Sequence, residues 1–410
     1  MIHEIRVKNF FSIGDEVKLN FEAKPGGITY PELYLDAPFG KKMTKVAFLG
    51  GPNASGKSNI LRAFSFIKEL ITDRISEKSL PYLPFFTKKK MIEGSEIEIR
   101  FCPEEDAEYL YYVSFLYDRI KEEKLSVTKL VTKRASTHDD FVRKWDGEKY
   151  FVKLDDSLAN IKRIKDISGL VSEKENQKNS IVSLFSYLDE KDGELRKMAE
   201  YWEHIATNVP TMGNAESNRP LTVQASEILR DAKEHPDEYG DLISFLKRVD
   251  SSITEVYEHS SGENNSRKLY GLAHHYADAT LNLLTITESN GTNRAICLIA
   301  TILKALSNKN GGVAIIDEAD VFLHPDIYDQ IIEMFMSHST NKHNTQLIIS
   351  SHNYTTLNSL DKQQIFLSEK NTRGYTEVWR LDEIEGVDSR DNFYTKYLAG
   401  AYGAVPRGDD

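Results

Sequence analysis

Residues 45–59 read KVAFLGGPNASGKSN, and ILRAFSFIKEL (60–70) follows with its apolar residues at helical spacing. A short apolar run, a glycine-rich turn and a helix form the context in which a phosphate-binding loop occurs. Gly51 to Ser58 fits the pattern G-x-x-x-x-G-K-[ST]. In such a loop the glycines let backbone amides turn inward onto phosphates, and the helix N-terminus adds a positive dipole. Lys57 reaches the β- and γ-phosphates, and the Ser58 hydroxyl is placed for Mg²⁺. The predicted nucleotide-binding set is Gly51, Asn53, Ala54, Ser55, Gly56, Lys57, Ser58 and Asn59. A chance glycine turn is disfavoured because strand and helix flank it on the correct sides. The loop specifies a nucleotide; it does not specify a reaction.

Three later motifs narrow the reading. VAIIDEAD (313–320) is an apolar strand ending in carboxylates. A buried parallel strand delivers such an end to the carboxyl edge of its sheet, beside the phosphate loop. Asp317 is predicted to hold Mg²⁺, directly or through water, and Glu318 to act as general base on the attacking water. Alone, a strand ending in two acids is ordinary; beside a phosphate loop it is not. TESNGTNRA (287–295) places Ser289, Asn290, Gly291 and Thr292 at the start of an apolar helix, where hydroxyls and free amides suit a phosphate. By itself this is an ordinary helix cap. LIISSHN (347–353) is another apolar strand, and His352 at its end is predicted on the same side as Asp317, facing the γ-phosphate or the water.

The bulk properties agree with a globular protein. The 410 residues carry 52 basic and 63 acidic side chains, a net charge of −11, which argues against nucleic-acid binding over the whole surface. Two distant cysteines and an N-terminus patterned like a strand lead us to expect a reduced, cytoplasmic protein with no membrane span. MIHEIRVKNFF, VKLNFEA, EIEIRF, YLYYVSFLY and KLSVTKLVTK read as strands, and FVRKWDGEKYFVK as a hairpin turning at Asp146-Gly147. Residues 155–257 read as helical and polar, and strand–helix alternation resumes from about Leu269. TLNLLTIT (280–287) reads as a strand, RAICLIATILKAL (294–306) as a helix and KNTRGYTEVWRL (370–381) as a terminal hairpin. The predicted organisation is an α/β P-loop domain in two parts, 1–154 and 258–410, split by a helical insertion at 155–257.

With its motifs in this order the chain resembles the ABC-type ATPases of the SMC/RecF/OLD group. Among these it is most similar to the stand-alone ATPase subunits of prokaryotic abortive-infection and anti-phage systems (Septu- and PARIS-like). The resemblance is carried by NFFSIGD (9–15), GPNASGKSN (51–59), ESNGT (288–292), IIDEADVFLHP (315–325), SSHN (350–353) and KYLAGAYGAVP (396–406). It implies an ABC-type fold with a strand-rich N-terminal lobe, and head-to-tail dimers or larger homo-oligomers. ATP and Mg²⁺ would be sandwiched between Lys57, Ser58, Asp317 and Glu318 of one subunit and Ser289 and Gly291 of the other. It further implies a separately encoded effector, a nuclease or toxin, and a phage protein or DNA as trigger. Three departures stand out. Phe11 occupies the place of a family arginine, Val321-Phe322 precede Leu-His-Pro where a polar residue is usual, and no glutamine lies between Lys57 and Gln177 to serve the Q-loop. The missing glutamine predicts slow hydrolysis.

Other features weigh less. TKKK (87–90) and KLVTKR (129–134) are basic patches that read as solvated faces, and His274-His275 show no ligand partners nearby. No nuclease-like acidic cluster, histidine set or zinc pattern is legible. Two further readings stay open on the sequence: an SMC/RecF-like DNA-repair ATPase, and a nucleotide-gated scaffold with negligible hydrolysis.

Overall fold

The computed structural model describes residues 1–24, 28, 30–75, 84, 87–131, 134–211, 219–239, 242–261, 267–321 and 323–405. Val46–Gly50, Val313–Ile316, Gln346–Ser350 and Ile365–Lys370 form the parallel centre of a six-stranded sheet. Its order is Ala206–Thr207, Val313–Ile316, Gln346–Ser350, Val46–Gly50, Ile365–Lys370, Thr376–Arg380, parallel except for the last hairpin. The strand of LIISSHN thus lies between the phosphate-loop strand and the acidic strand. All three run the same way, so their carboxyl ends share one edge.

Strand alternation divides the core in two. Ala47, Leu49, Val313, Ile315 and Ile348 face one side, with the helix Lys57–Thr72 and a seven-stranded antiparallel sheet. That sheet runs Tyr150–Leu154, Arg134–Trp145, Arg119–Val131, Ala107–Leu116, Ser95–Glu104, Ile2–Lys8, Val17–Asn20, and it contains the strand-rich lobe expected from the sequence. The aromatic stretch read as a packed strand is one: Tyr109 and Tyr111 are fully buried in it. Val46, Phe48, Ala314, Ile316, Leu347 and Ile349 face the other side, against helices Asn290–Ser307 and Pro325–Met336.

Residues 155–257 serve both cores. The helices Ile181–Phe185 and Glu194–Glu203 pack under the antiparallel sheet, with Trp202 fully buried there. The helices Leu221–Glu234 and Leu242–Val249 join the second core. Two expectations need correction. Ile253–Ser261 is a strand, although its first half lies in the stretch read as helical; it pairs with Arg267–Tyr276, which pairs with Ala279–Leu284. Its polar residues alternate with few large apolar ones, so the period-2 signal is weak. The strand read at 280–287 ends at Leu284, because Thr287 folds back and donates from N and Oγ1 to the Leu284 carbonyl, each at 2.8 Å. Most of LPYLPFF (80–86) and TMGNAESNRP (211–220), both read as loops, lies outside the described residues, as does Phe322. Among the described residues no helix is long and apolar enough to cross a membrane.

Candidate functional site

The phosphate loop occupies the turn between Val46–Gly50 and the helix Lys57–Thr72. Its end glycines are conformationally required. Gly51 has φ +145° and Gly56 φ +111°, and a Cβ at Gly51 would stand 2.2 Å from the Ser368 carbonyl oxygen. The loop is cross-braced by residues far away in sequence. Ser55 Oγ is 2.8 Å from Ser368 Oγ, and Thr376 Oγ1 donates to the Ser55 carbonyl at 2.9 Å. Tyr354 OH accepts from Gly51 N at 3.0 Å and donates to Gly51 O at 2.8 Å. Tyr354 in turn stacks on Tyr397 of the C-terminal stretch at 4.2 Å, which ties that stretch to the loop. Asn53 and Ala54 are exposed at the tip.

Lys57 Nζ donates to Gly51 O at 2.8 Å and to Pro52 O at 3.1 Å. Burial lowers its pKa, and Asp317, Glu318 and Asp320 pull it back up. The ammonium is therefore within reach of the field of the acidic cluster, as the sequence order required. Ser350 Oγ, at the end of the intervening strand, donates to Asp317 Oδ1 and accepts from Glu318 N at 2.9 Å. Asp320 Oδ1 accepts from His352 N at 3.1 Å. Glu318 takes φ +51°, a left-handed backbone that is uncommon outside glycine and recurs at functional positions. Burial and the Lys57 charge lower the His352 pKa below its ordinary value, while Asp320, Glu318 and Asp317 oppose them. Lys57, Asp317, Glu318 and His352 thus share one electrostatic neighbourhood.

Two residues escaped the sequence reading. Asn208 follows the two-residue strand Ala206–Thr207 and clamps the Asp317 peptide from both sides. Its Oδ1 accepts from Asp317 N at 2.8 Å and its Nδ2 donates to Asp317 O at 3.0 Å. A carboxamide therefore stands beside the acidic strand, from an asparagine outside the Lys57–Gln177 interval that lacks a glutamine. Arg62 was the second. Its guanidinium lies 5.0 Å over the Phe11 ring and donates to Asn59 Oδ1 at 2.6 Å, and its pKa, lowered by burial, is raised by Asp317. An arginine of this helix thus packs on the Phe11 ring and feels the Asp317 charge. Asn59 is the hinge of this group, since its Nδ2 donates to Ser12 Oγ at 2.8 Å. Neither residue has a signal in local sequence.

Ser289, Asn290, Gly291 and Thr292 behave differently. Ser289 caps the helix Asn290–Ser307, which begins earlier than read, and its Oγ accepts from Thr292 N at 2.9 Å. Ser289 and Asn290 are exposed, and among the described residues no hydrogen bond joins 289–292 to the phosphate loop. The turn is anchored from below: Glu288 Oε1 lies 2.6 Å from Nε2 of buried His274, whose Nδ1 is 2.9 Å from Ser252 Oγ. His274 therefore has partners that the sequence did not reveal. The basic patches are partly paired. Lys90 lies 3.4 Å from Glu93 and 3.6 Å from Asp15, and Lys129 pairs with Glu194. Residues 132 and 133 lie outside the described residues.

Comparison with known proteins agrees with this geometry. A profile of the AAA_21 family, described as an AAA domain, putative AbiEii toxin, type IV TA system, matches residues 46–358. No curated protein matches the chain. The SMC head domain from Thermotoga maritima is 14% identical with a TM-score of 0.36, over 92% of this chain and 98% of that one. The Smc head domain with a coiled coil and joint derived from Pyrococcus yayanosii is 12% identical with a TM-score of 0.44, over 98% and 99%. At such scores neither likeness adds to what the sheet order and the family match establish.

Proposed function

The chain belongs to the AAA_21 family of ATPase domains, and from that premise we propose that it binds and hydrolyses ATP as one half of a head-to-tail dimer that controls a separate effector. The observation that carries the proposal is the meeting of Lys57, Asp317, Glu318, Asp320 and His352 at one sheet edge. The loop pattern fits a nucleotide, and the positive φ of Gly51 and Gly56 lets the backbone turn as such a loop must. Ser58 and Asp317 would hold Mg²⁺, which neutralises phosphate charge when bound. Loop amides and Lys57 bind the phosphates, Glu318 accepts a proton from water, and neutral His352 orients that water or the γ-phosphate. Asn208 holds the Asp317 peptide in place.

Dimerisation is supported by the exposed turn at Ser289–Thr292, whose hydrogen-bonding groups suit a phosphate presented by another subunit. A defence role is supported by the family description, which names a toxin–antitoxin system. The effector is a nuclease or toxin encoded apart from this chain. Direct action on DNA is the weaker reading, given the net charge of −11 and the acid-paired lysines.

The test is phosphate release and mass by light scattering on the full chain with Mg²⁺ and ATP. The proposal expects steady hydrolysis, and Glu318→Gln should accumulate an ATP-bound dimer. If wild type releases no phosphate and Glu318→Gln changes nothing, the chain is a nucleotide-gated scaffold. Salt-sensitive binding of duplex DNA by the isolated protein would favour the DNA reading instead.

A further inference from the structure

Away from the nucleotide edge, the strand Arg134–Trp145 bulges at Asp140, whose carboxylate lies beside the His138 ring. The turn after Tyr150–Leu154 brings Asp155 beside them, held by the Asp155 N to Asp140 O hydrogen bond at 2.7 Å. One ligand atom from each of the three side chains lies within 4.8 Å of the others. A cluster of acids near a histidine is common, and the decisive feature is Asp140. Its side chain is 0% exposed, and among the described residues its Oδ2 has no hydrogen-bond partner. Its other oxygen is served by His138 Nε2 at 2.9 Å and Ser157 Oγ at 3.3 Å. Burial first, and then the Glu194 charge, push its pKa up to about 6. A buried carboxylate oxygen without a partner costs free energy unless a cation or proton answers it. Lys129 is paired with Glu194, which also accepts from Tyr109 OH.

We propose that His138, Asp140 and Asp155 bind a divalent first-row metal ion, Zn²⁺ in preference to Mg²⁺ or Ca²⁺. One imidazole and two carboxylates are a borderline donor set, whereas Mg²⁺ and Ca²⁺ favour all-oxygen sites with more ligands. Ligands about 2.0–2.2 Å from a tetrahedral ion stand about 3.3–3.6 Å apart. Small side-chain rotations therefore close the cluster, and the ion would satisfy the orphan oxygen of Asp140. Three protein ligands leave a fourth position open. The ion would staple the antiparallel sheet to the segment that begins at Asp155. Among the described residues the other such cluster, His3, Cys102 and Glu108, lacks this demand: His3 Nδ1 lies 2.7 Å from Glu108 and Nε2 3.3 Å from Cys102, so its groups satisfy one another. This site is independent of the nucleotide site.

The test is a titration of the nucleotide-free full chain with Zn²⁺, and separately with Mn²⁺, by calorimetry and thermal melting. One equivalent of Zn²⁺ should bind and raise the melting temperature. His138→Ala and Asp155→Asn lie in half-exposed positions and should fold as wild type. Each should weaken Zn²⁺ by more than the roughly 10–100-fold that outer-shell partners cost, whereas Cys102→Ser should bind as wild type. The proposal is overturned if wild type takes up neither ion, if both half-exposed variants bind Zn²⁺ as tightly as wild type, or if Cys102→Ser alone abolishes uptake.

Discussion

The phosphate-loop edge and the Ser289 turn are both lined with groups suited to phosphate, yet they are built in opposite ways. At the loop edge nearly every polar group is engaged by a distant segment: Gly51 by Tyr354, Ser55 by Ser368, Asp317 by Asn208 and Ser350. At the turn, Ser289 bonds mainly to Thr292 three residues on, while Glu288 and His274 fix the turn from behind. The first surface is braced by its own chain. The second faces outward, as the proposed head-to-tail dimer would need.

The sharpest way to break that contrast is complementation. Lys57→Ala disables the engaged edge and Ser289→Arg blocks the outward turn, and each alone should lower phosphate release by about 10²-fold or more. In an equal mixture, half of the dimers pair one of each chain and carry one intact site. The mixture should therefore recover about a quarter of wild-type activity. Full activity of Ser289→Arg by itself would show that the turn is not part of any site.

A smaller effect tests how the engaged edge is held. Asn208 is exposed, and its carboxamide bonds both backbone groups of Asp317. Asn208→Ala should leave folding intact while lowering hydrolysis by about 10–100-fold, with a weaker apparent affinity for Mg²⁺, as loss of an orienting neighbour does. Phosphate release measured across Mg²⁺ concentrations decides it. An unchanged Mg²⁺ dependence would remove Asn208 from the site.

The contrast also explains what the sequence could reveal. Lys57, Asp317 and His352 were legible because each ends or follows a strand within a short local pattern, and parallel strands bring such ends together without further information. Asn208 and Arg62 were not legible. Their roles depend on which strands become neighbours, and Ala206–Thr207 is too short to show any periodicity. The double duty of Ser350 toward Asp317 and Glu318 is likewise a product of strand order. The turn at Ser289 was legible as a cap, whereas its support from His274 runs through a strand pair whose first member was read as largely helical. The buried, half-served carboxylate of Asp140 depends on the Asp155–Ser157 turn folding back onto its strand, which no local pattern encodes.

The gentlest probe of the engaged edge is pH. Burial, reinforced by the Lys57 charge, sets the His352 pKa below 6.5, while three carboxylates limit the drop. The folded protein therefore resists protonation that the unfolded chain accepts near 6.5. The linked stability is present above that pH and is lost as pH falls from 6.5 through the folded value. If neutral His352 orients water or the γ-phosphate, the acid half-point of hydrolysis lies below pH 6.5. His352→Gln should lower the rate about fivefold to tenfold, the worth of one hydrogen bond of about 1–1.5 kcal/mol, and should remove that acid limb. Rate profiles for both proteins between about pH 5 and 8 separate the cases. An acid limb that persists unchanged in His352→Gln belongs to another group, with Glu318 the first to examine, and would place His352 among the braces of the loop edge rather than among the groups that meet the phosphate.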